Sequence, residues 1–243
     1  MSRGRLARYS LWQFRDFVME RGIAIMIIGL LWGYLLIEPM RRMMGAAFAV
    51  GPGSQTWPLV ITVASSVVSL AVLIALNGIV ATDRKLGYYR FLFSKPVSPV
   101  AYYAQLFFVN MAGVLIAMLL LSGVLYTVVP AFRIFNFLLY TAIIYIAMGG
   151  IGFFVSGATR YDWVTLAAVW FGARILRDVY GPRPGWQSKA VELLPPVHKL
   201  GDVSHSMITN GTAQTSDVLW LIGYGALFFA LGLLILRRGS LAD

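Results

Sequence analysis

The chain contains no cysteine, which excludes disulfide cross-links, thiol nucleophiles and thiolate metal sites. Histidine is almost as scarce: His198 and His205 are the two in 243 residues, so a metal centre would need carboxylates for most of its ligands. Carboxylates are also few. Asp and Glu total 10, and charged residues make up 12% of the chain, against about 25% in an ordinary soluble domain. No long apolar run holds a histidine or an acidic pair that could serve catalysis inside a bilayer. A phosphate loop of the form GxxxxGK followed by Ser or Thr is missing too; GPRPGWQSK, at 181–189, has prolines where backbone N–H groups would have to cradle phosphate. The chain therefore reads as a non-enzyme that binds no metal and hydrolyses no ATP itself.

What is present is apolar surface. Hydrophobic residues make up 59% of the chain, and the mean hydropathy is +0.75. A bilayer core is about 30 Å thick, so a helix needs about 20 mostly apolar residues to cross it with its backbone hydrogen bonds closed internally. Six runs meet or approach that length, at about 22–37, 56–81, 103–129, 135–158, 163–176 and 218–236. The expected fold is all-α, a single transmembrane domain over 1–243. The run at 163–176, WVTLAAVWFGARIL, is barely long enough, and it either crosses or dips in and returns. Pro182, Pro184, Pro195 and Pro196 then punctuate a mixed segment around VELLPPVHKL that predicts short re-entrant or interfacial helices before the last span.

Residues 1–21 precede the first span. At helical spacing Ala7, Leu11, Phe14 and Val18 form one stripe, with Arg5, Arg8, Asp16 and Glu20 largely opposite. Such a helix lies on the membrane surface or extends the first span; Tyr9 and Trp12 are boundary residues and favour the surface. A charged stretch of this length also argues against a cleavable signal peptide.

The net charge of +10 is spread along the borders of the apolar runs, which points to lipid headgroups and membrane orientation rather than to nucleic acid. Arg3, Arg5, Arg8, Arg15 and Arg21 precede the first span, and Arg84, Lys85, Arg90 and Lys95 follow the second. Both segments are assigned to the cytoplasm, and the 130–134 loop, with Arg133 alone, to the outside. Six spans also place Arg237 and Arg238 in the cytoplasm. Arg174, Arg177, Arg183, Lys189 and Lys199 pull the other way, because six spans put them outside and five would not.

Two patterns carry functional information. In the second span Thr62, Ser65, Ser66 and Ser69 recur at spacings of three and four, which collects hydroxyls on one helix face. Such a face either packs closely, its hydroxyls bonded to their own backbone, or lines a translocation path. Between spans two and three the chain reads ATDRKLGYYRFLFSKPVSPVAYYAQ. Tyr88, Phe91 and Leu92 are spaced as one face of a short helix, Arg90 and Lys95 lie on others, and Pro96 ends it. This helix either rests among headgroups or docks a partner.

The order acidic residue, basic residues, glycine, aromatic and aliphatic helix, then Ser94, Lys95, Pro96, Val97 and Ser98 resembles the cytoplasmic loop of the ABC-2 type family of ABC transporter permeases. The surface helix, the six spans, the Leu193–Pro196 segment before the last span and the basic end RRGSLAD are similar to that family's layout; Asp83 and the Gly87–Tyr88 pair stand where the family more often has Glu and Gly-Thr. The resemblance implies a permease subunit of an ATP-driven exporter that pairs with a second permease subunit, identical or related, in a bacterial cytoplasmic membrane. It implies that Asp83, Arg84, Lys85, Gly87, Arg90, Phe91, Leu92, Ser94, Lys95 and Pro96, within the coupling loop at 83–98, face a separate ABC ATP-binding subunit that uses ATP and Mg. It also favours the path-lining role for Thr62, Ser65, Ser66 and Ser69. The alternatives are a non-transporting membrane subunit that couples an ATPase to a partner, and a stand-alone channel.

Overall fold

The computed structural model describes residues 3–44, 54, 57–80, 83, 98–159, 162–182 and 185–238. Among these residues there are helices and connecting turns and no strands. Five helices are long and apolar enough to cross a membrane: Tyr9–Tyr34, Trp57–Leu76, Pro99–Thr127, Ile134–Ala158 and Thr215–Arg237. The chain is a multi-pass membrane protein.

The first of these differs from the expected surface helix followed by a span at 22–37. Helix α1 (Arg3–Phe17) passes into α2 (Ile23–Met44) through a π-helical turn at Val18–Gly22, with no break in the helical path. A π-turn inserts an extra residue into the ladder and rotates the helix beyond it. Here Gly22 is buried in the turn. Phe17, 3% exposed, lies over Gly113, where a methyl group would strike its ring.

Helix α3 spans Trp57–Leu76, α4 Pro99–Val128 and α5 Ile134–Ala158. Pro99 opens α4, where its fixed φ suits the first turn and its missing N–H goes unneeded. Helix α5 is the centre of the bundle and buries residues along its whole length, from Phe137 to Gly157. Tyr145 donates its hydroxyl to the Phe107 carbonyl at 3.0 Å, and Phe107 itself packs on Gly149. At the end of α3 the Val80 N–H donates to Ser156 Oγ at 3.2 Å.

Helix α6 spans Asp162–Tyr180, α7 Trp186–Glu192, α8 Val197–Thr209 and α9 Thr215–Arg238. The tightest crossing is between α5 and α9. Gly150 and Gly225 lie back to back, and a methyl group on either would collide with backbone of the other helix. The pairs 146–225, 150–225, 153–232 and 157–232 advance together, so α5 and α9 run parallel. Helices α1 and α2 run parallel to α4 by the same reasoning, through Ser10–Gln105, Phe17–Gly113 and Gly29–Leu121.

Parallel α5 and α9 have a topological consequence. The chain leaves α5 at one end of the bundle and enters α9 at the other, so residues 159–214 run back between the ends. Helices α6 to α8 make that return. Trp57 Nε1 donates to Thr209 Oγ1 at 2.9 Å and Asn136 Nδ2 to the Met207 carbonyl at 3.1 Å, which fixes the end of α8 beside the starts of α3 and α5. Tyr224, in α9, reaches back to the Leu193 carbonyl at 3.1 Å and holds the turn before α8 against the bundle.

Candidate functional site: a hydroxyl-lined groove and the anchor of the loop

Helix α3 has two faces. Val60, Val63, Ala64, Val67, Val68 and Ala71 are buried in the core, a pattern that follows from apolar residues three and four apart. On the other face Thr62 is exposed and Ser65, Ser66 and Ser69 are partly exposed. Three of these hydroxyls are bonded as close helix packing predicts: Thr62 Oγ1 donates to the Pro58 carbonyl at 2.9 Å, Ser65 Oγ to Ile61 at 2.7 Å and Ser69 Oγ to Ser65 at 2.8 Å. Among the described helices none closes over these hydroxyls, although Tyr140 of α5 reaches Ser65. They form one wall of an open groove of about 690 Å³, completed by Trp32 of α2 and by Gly201, Ser204 and His205 of α8. The two readings of this face are therefore not exclusive. The protons of Thr62, Ser65 and Ser69 serve the helix backbone, and the same side chains line the groove.

The far wall comes from a segment whose contribution was not visible in the sequence. Ser204 is 3% exposed and donates its hydroxyl to the Gly201 carbonyl at 2.8 Å. The Tyr140 phenol of α5 lies against Ser65 and Ser204 and joins the two walls. Because both serine protons are committed to backbone carbonyls, the single phenolic proton can be donated to only one of the two serine oxygens. The alternation of small and polar residues in GDVSHS, at 201–206, was the one available signal.

A second cavity, of about 390 Å³, lies on the buried side of α3. Val63, Ala64 and Val67 line it with Gly33, Tyr34, Leu121 and Phe137, so it is mostly apolar. Gly29 packs against Leu121, whereas Gly33 opens onto empty space.

The loop between the second and third spans is described at Asp83 and again from Ser98; Arg84, Lys85, Gly87, Arg90, Phe91, Leu92, Ser94, Lys95 and Pro96 lie outside the described residues. Asp83 is tied to the bundle. The fully buried Tyr103 donates its hydroxyl to Asp83 Oδ2 at 3.1 Å. Burial holds the Asp83 carboxyl above its ordinary range, while the Tyr103 hydrogen bond and the positive charge of Arg21 act in the opposite direction. Arg21 sits at the π-turn and donates to the Ala75 carbonyl at 2.8 Å; Asn110 of α4 donates to the same oxygen at 3.1 Å. Gln105 donates to Ser10 at 2.7 Å. Asn110 and Gln105 thus serve as polar ties between helices, as their place in the third span suggests.

Among the described residues no three His, Asp or Glu side chains converge on a site for a metal ion. Lys199 pairs with Asp217 and joins α8 to the first turn of α9. Compared with protein-family models, with curated proteins and with solved structures, the chain matches none.

Proposed function

We propose that the chain is the membrane-spanning permease subunit of an ATP-driven ABC transporter of the ABC-2 type, an exporter that works as a dimer with separate ATP-binding subunits. The observation that carries this reading is the groove between α3 and α8: it lies along a span, is walled by hydroxyls, and is left uncovered by the described helices. A second permease subunit facing this groove would close it into a path through the bilayer.

Six crossings are favoured over five. The parallel course of α5 and α9 requires a return between them, and α6, at 19 residues, is long enough to make most of it. In this reading the basic residues of 1–21 and of the 83–98 loop face the cytoplasm, and the family resemblance favours a bacterial cytoplasmic membrane.

In this reading Arg84, Lys85, Arg90, Lys95 and the apolar pair Phe91 and Leu92 engage the ATP-binding subunit. Asp83, held by Tyr103, ties that loop to α4. Closure of the ATPase pair on ATP and Mg displaces the loop and tilts α4 relative to α3, a two-state element biased by nucleotide.

Co-purification of the chain with an ATP-binding subunit tests the assignment. Phe91→Ala together with Arg90→Glu is expected to abolish that co-purification and the stimulation of ATP turnover. Retention of both would overturn the docking role. Solute flux in proteoliposomes separates the outcomes further: ATP-dependent flux supports the exporter, flux without ATP a stand-alone channel, and partner binding without flux a coupling subunit that moves nothing.

A further inference from the structure

We infer that the groove between α3 and α8 takes the head of an uncharged, hydroxyl-bearing amphiphile whose hydrocarbon tail remains in the bilayer. Its place as the transported solute rests on the permease reading above; binding in the groove does not. Three features of the wall lead to this chemistry.

The first is the absence of fixed charge. Among the described residues no Asp, Glu, Lys or Arg lines the groove, and His205 is the one titratable side chain in the lining. A charged head taken from water into such a site would lose its hydration without meeting a counter-charge, at a cost of several kcal/mol. Both anionic and cationic heads are disfavoured.

The second is the direction of the hydrogen bonds. Thr62, Ser65, Ser69 and Ser204 each donate their proton to a carbonyl of their own helix. A hydroxyl carries one donor and two acceptor lone pairs. The wall therefore presents mainly acceptors and selects a head that brings its own O–H donors. Hydrocarbon alone would leave those lone pairs facing nothing.

The third is the pairing of this surface with apolar and aromatic area. Trp32, Pro58, Ile61 and Leu70 share the lining, and Trp32 is 41% exposed. An indole ring is suited to the C–H face of a polyol or sugar ring. The volume of about 690 Å³ lies within the ordinary range of ligand cavities, about 300–1,000 Å³.

The test uses the purified full-length chain in nanodiscs of neutral lipid and tritiated dodecyl glucoside as the probe. Dodecyl sulfate and dodecyltrimethylammonium, with the same tail, serve as competitors. Saturable binding is expected, with each charged analogue competing about ten-fold more weakly or worse than unlabelled dodecyl glucoside. Thr62→Val and the pair Ser66→Val with Ser69→Val are each expected to weaken binding about ten-fold, because a donor on the ligand loses its acceptor. Leu120→Ala, outside the groove, should bind as the original chain does. Thr62 is solvent- or lipid-facing in this chain, so its variant keeps the test alive if the double variant loses its monodisperse profile.

Non-saturable uptake, equal competition by the charged analogues, or unchanged binding in Thr62→Val would overturn the inference. These failures leave the permease reading standing if an ATP-binding subunit still co-purifies. Binding without such a subunit has the reverse meaning.

Discussion

Arg21 Nη1 donates to the carbonyl oxygen of Ala75 at 2.8 Å, across 54 residues of chain. Ala75 is in the last turn of α3, where carbonyls have no intrahelical partner and the helix dipole is negative. A guanidinium there satisfies the backbone and complements the dipole at once. The π-turn of Val18–Gly22 carries Arg21 to this point, and Asn110 brings α4 to the same oxygen. Three helices thus converge on one acceptor.

Replacing Arg21 with leucine is expected to destabilise the folded chain by about 2 kcal/mol, the range for a hydrogen bond from a charged donor. Arg21→Lys should recover part of that loss. Asn110→Leu alone should cost less, and the two changes together more than their sum, since each donor shields the other's absence. Thermal unfolding followed by size-exclusion chromatography measures all four; strict additivity would show that the shared acceptor is unimportant.

The α5 and α9 crossing gives the sharpest steric forecast. Gly150→Ala and Gly225→Ala each force a methyl group into the opposing backbone, which cannot yield as a side-chain tip can. A loss of at least about 3 kcal/mol, or failure to fold, is expected from either. Gly223→Ala, two residues away, meets no atom within 4 Å and should behave like the original chain. The contrast between Gly223 and Gly225 is read by expression level and melting temperature.

Gln13 is 2% exposed; its amide lies against the Tyr102 hydroxyl, and among the described residues neither amide atom has a hydrogen bond of good geometry. An unpaired buried amide costs about 1–3 kcal/mol. Gln13→Leu, of similar volume and apolar, is therefore expected to raise the melting temperature, and a fall would show that the amide has a partner in the assembled protein.

Asp83 titrates from above its ordinary value of 3.8 because burial penalises its charged form. The sign follows from the protonated form being the one the folded state prefers. Its contribution to stability is greatest at low pH and is lost as pH rises through the folded-state pKa. Asp83→Asn keeps an acceptor for Tyr103 and removes the titration. Melting temperatures between about pH 4 and pH 7 should consequently depend less on pH in Asp83→Asn than in the original chain.

Much of this protein was legible from composition. Membrane embedding follows from 59% hydrophobic residues and from run lengths that need no partner to interpret. Four of the five helices long and apolar enough to cross fall on long runs after residue 50, which have polar or proline borders. The boundary at residue 21 was not legible, because a π-turn is set by what the rotated side chains meet, here the carbonyl of Ala75 and the bare surface of Gly113. The status of 163–176 was also undecidable locally. Its length is marginal, and the structure bears on it through the parallel course of α5 and α9, a relation between glycines about 75 residues apart in sequence.

The stripe of Thr62, Ser65, Ser66 and Ser69 divides in the same way. That these hydroxyls share one face could be read from residue order, because helical geometry alone sets that spacing, and the same order allows their bonding to the backbone four residues earlier. That the described helices leave the face open, with Trp32, Ser204 and His205 around it, follows from packing between distant segments. Those residues come from helices brought together by long-range packing, and no local pattern in the chain encodes which surface is left uncovered.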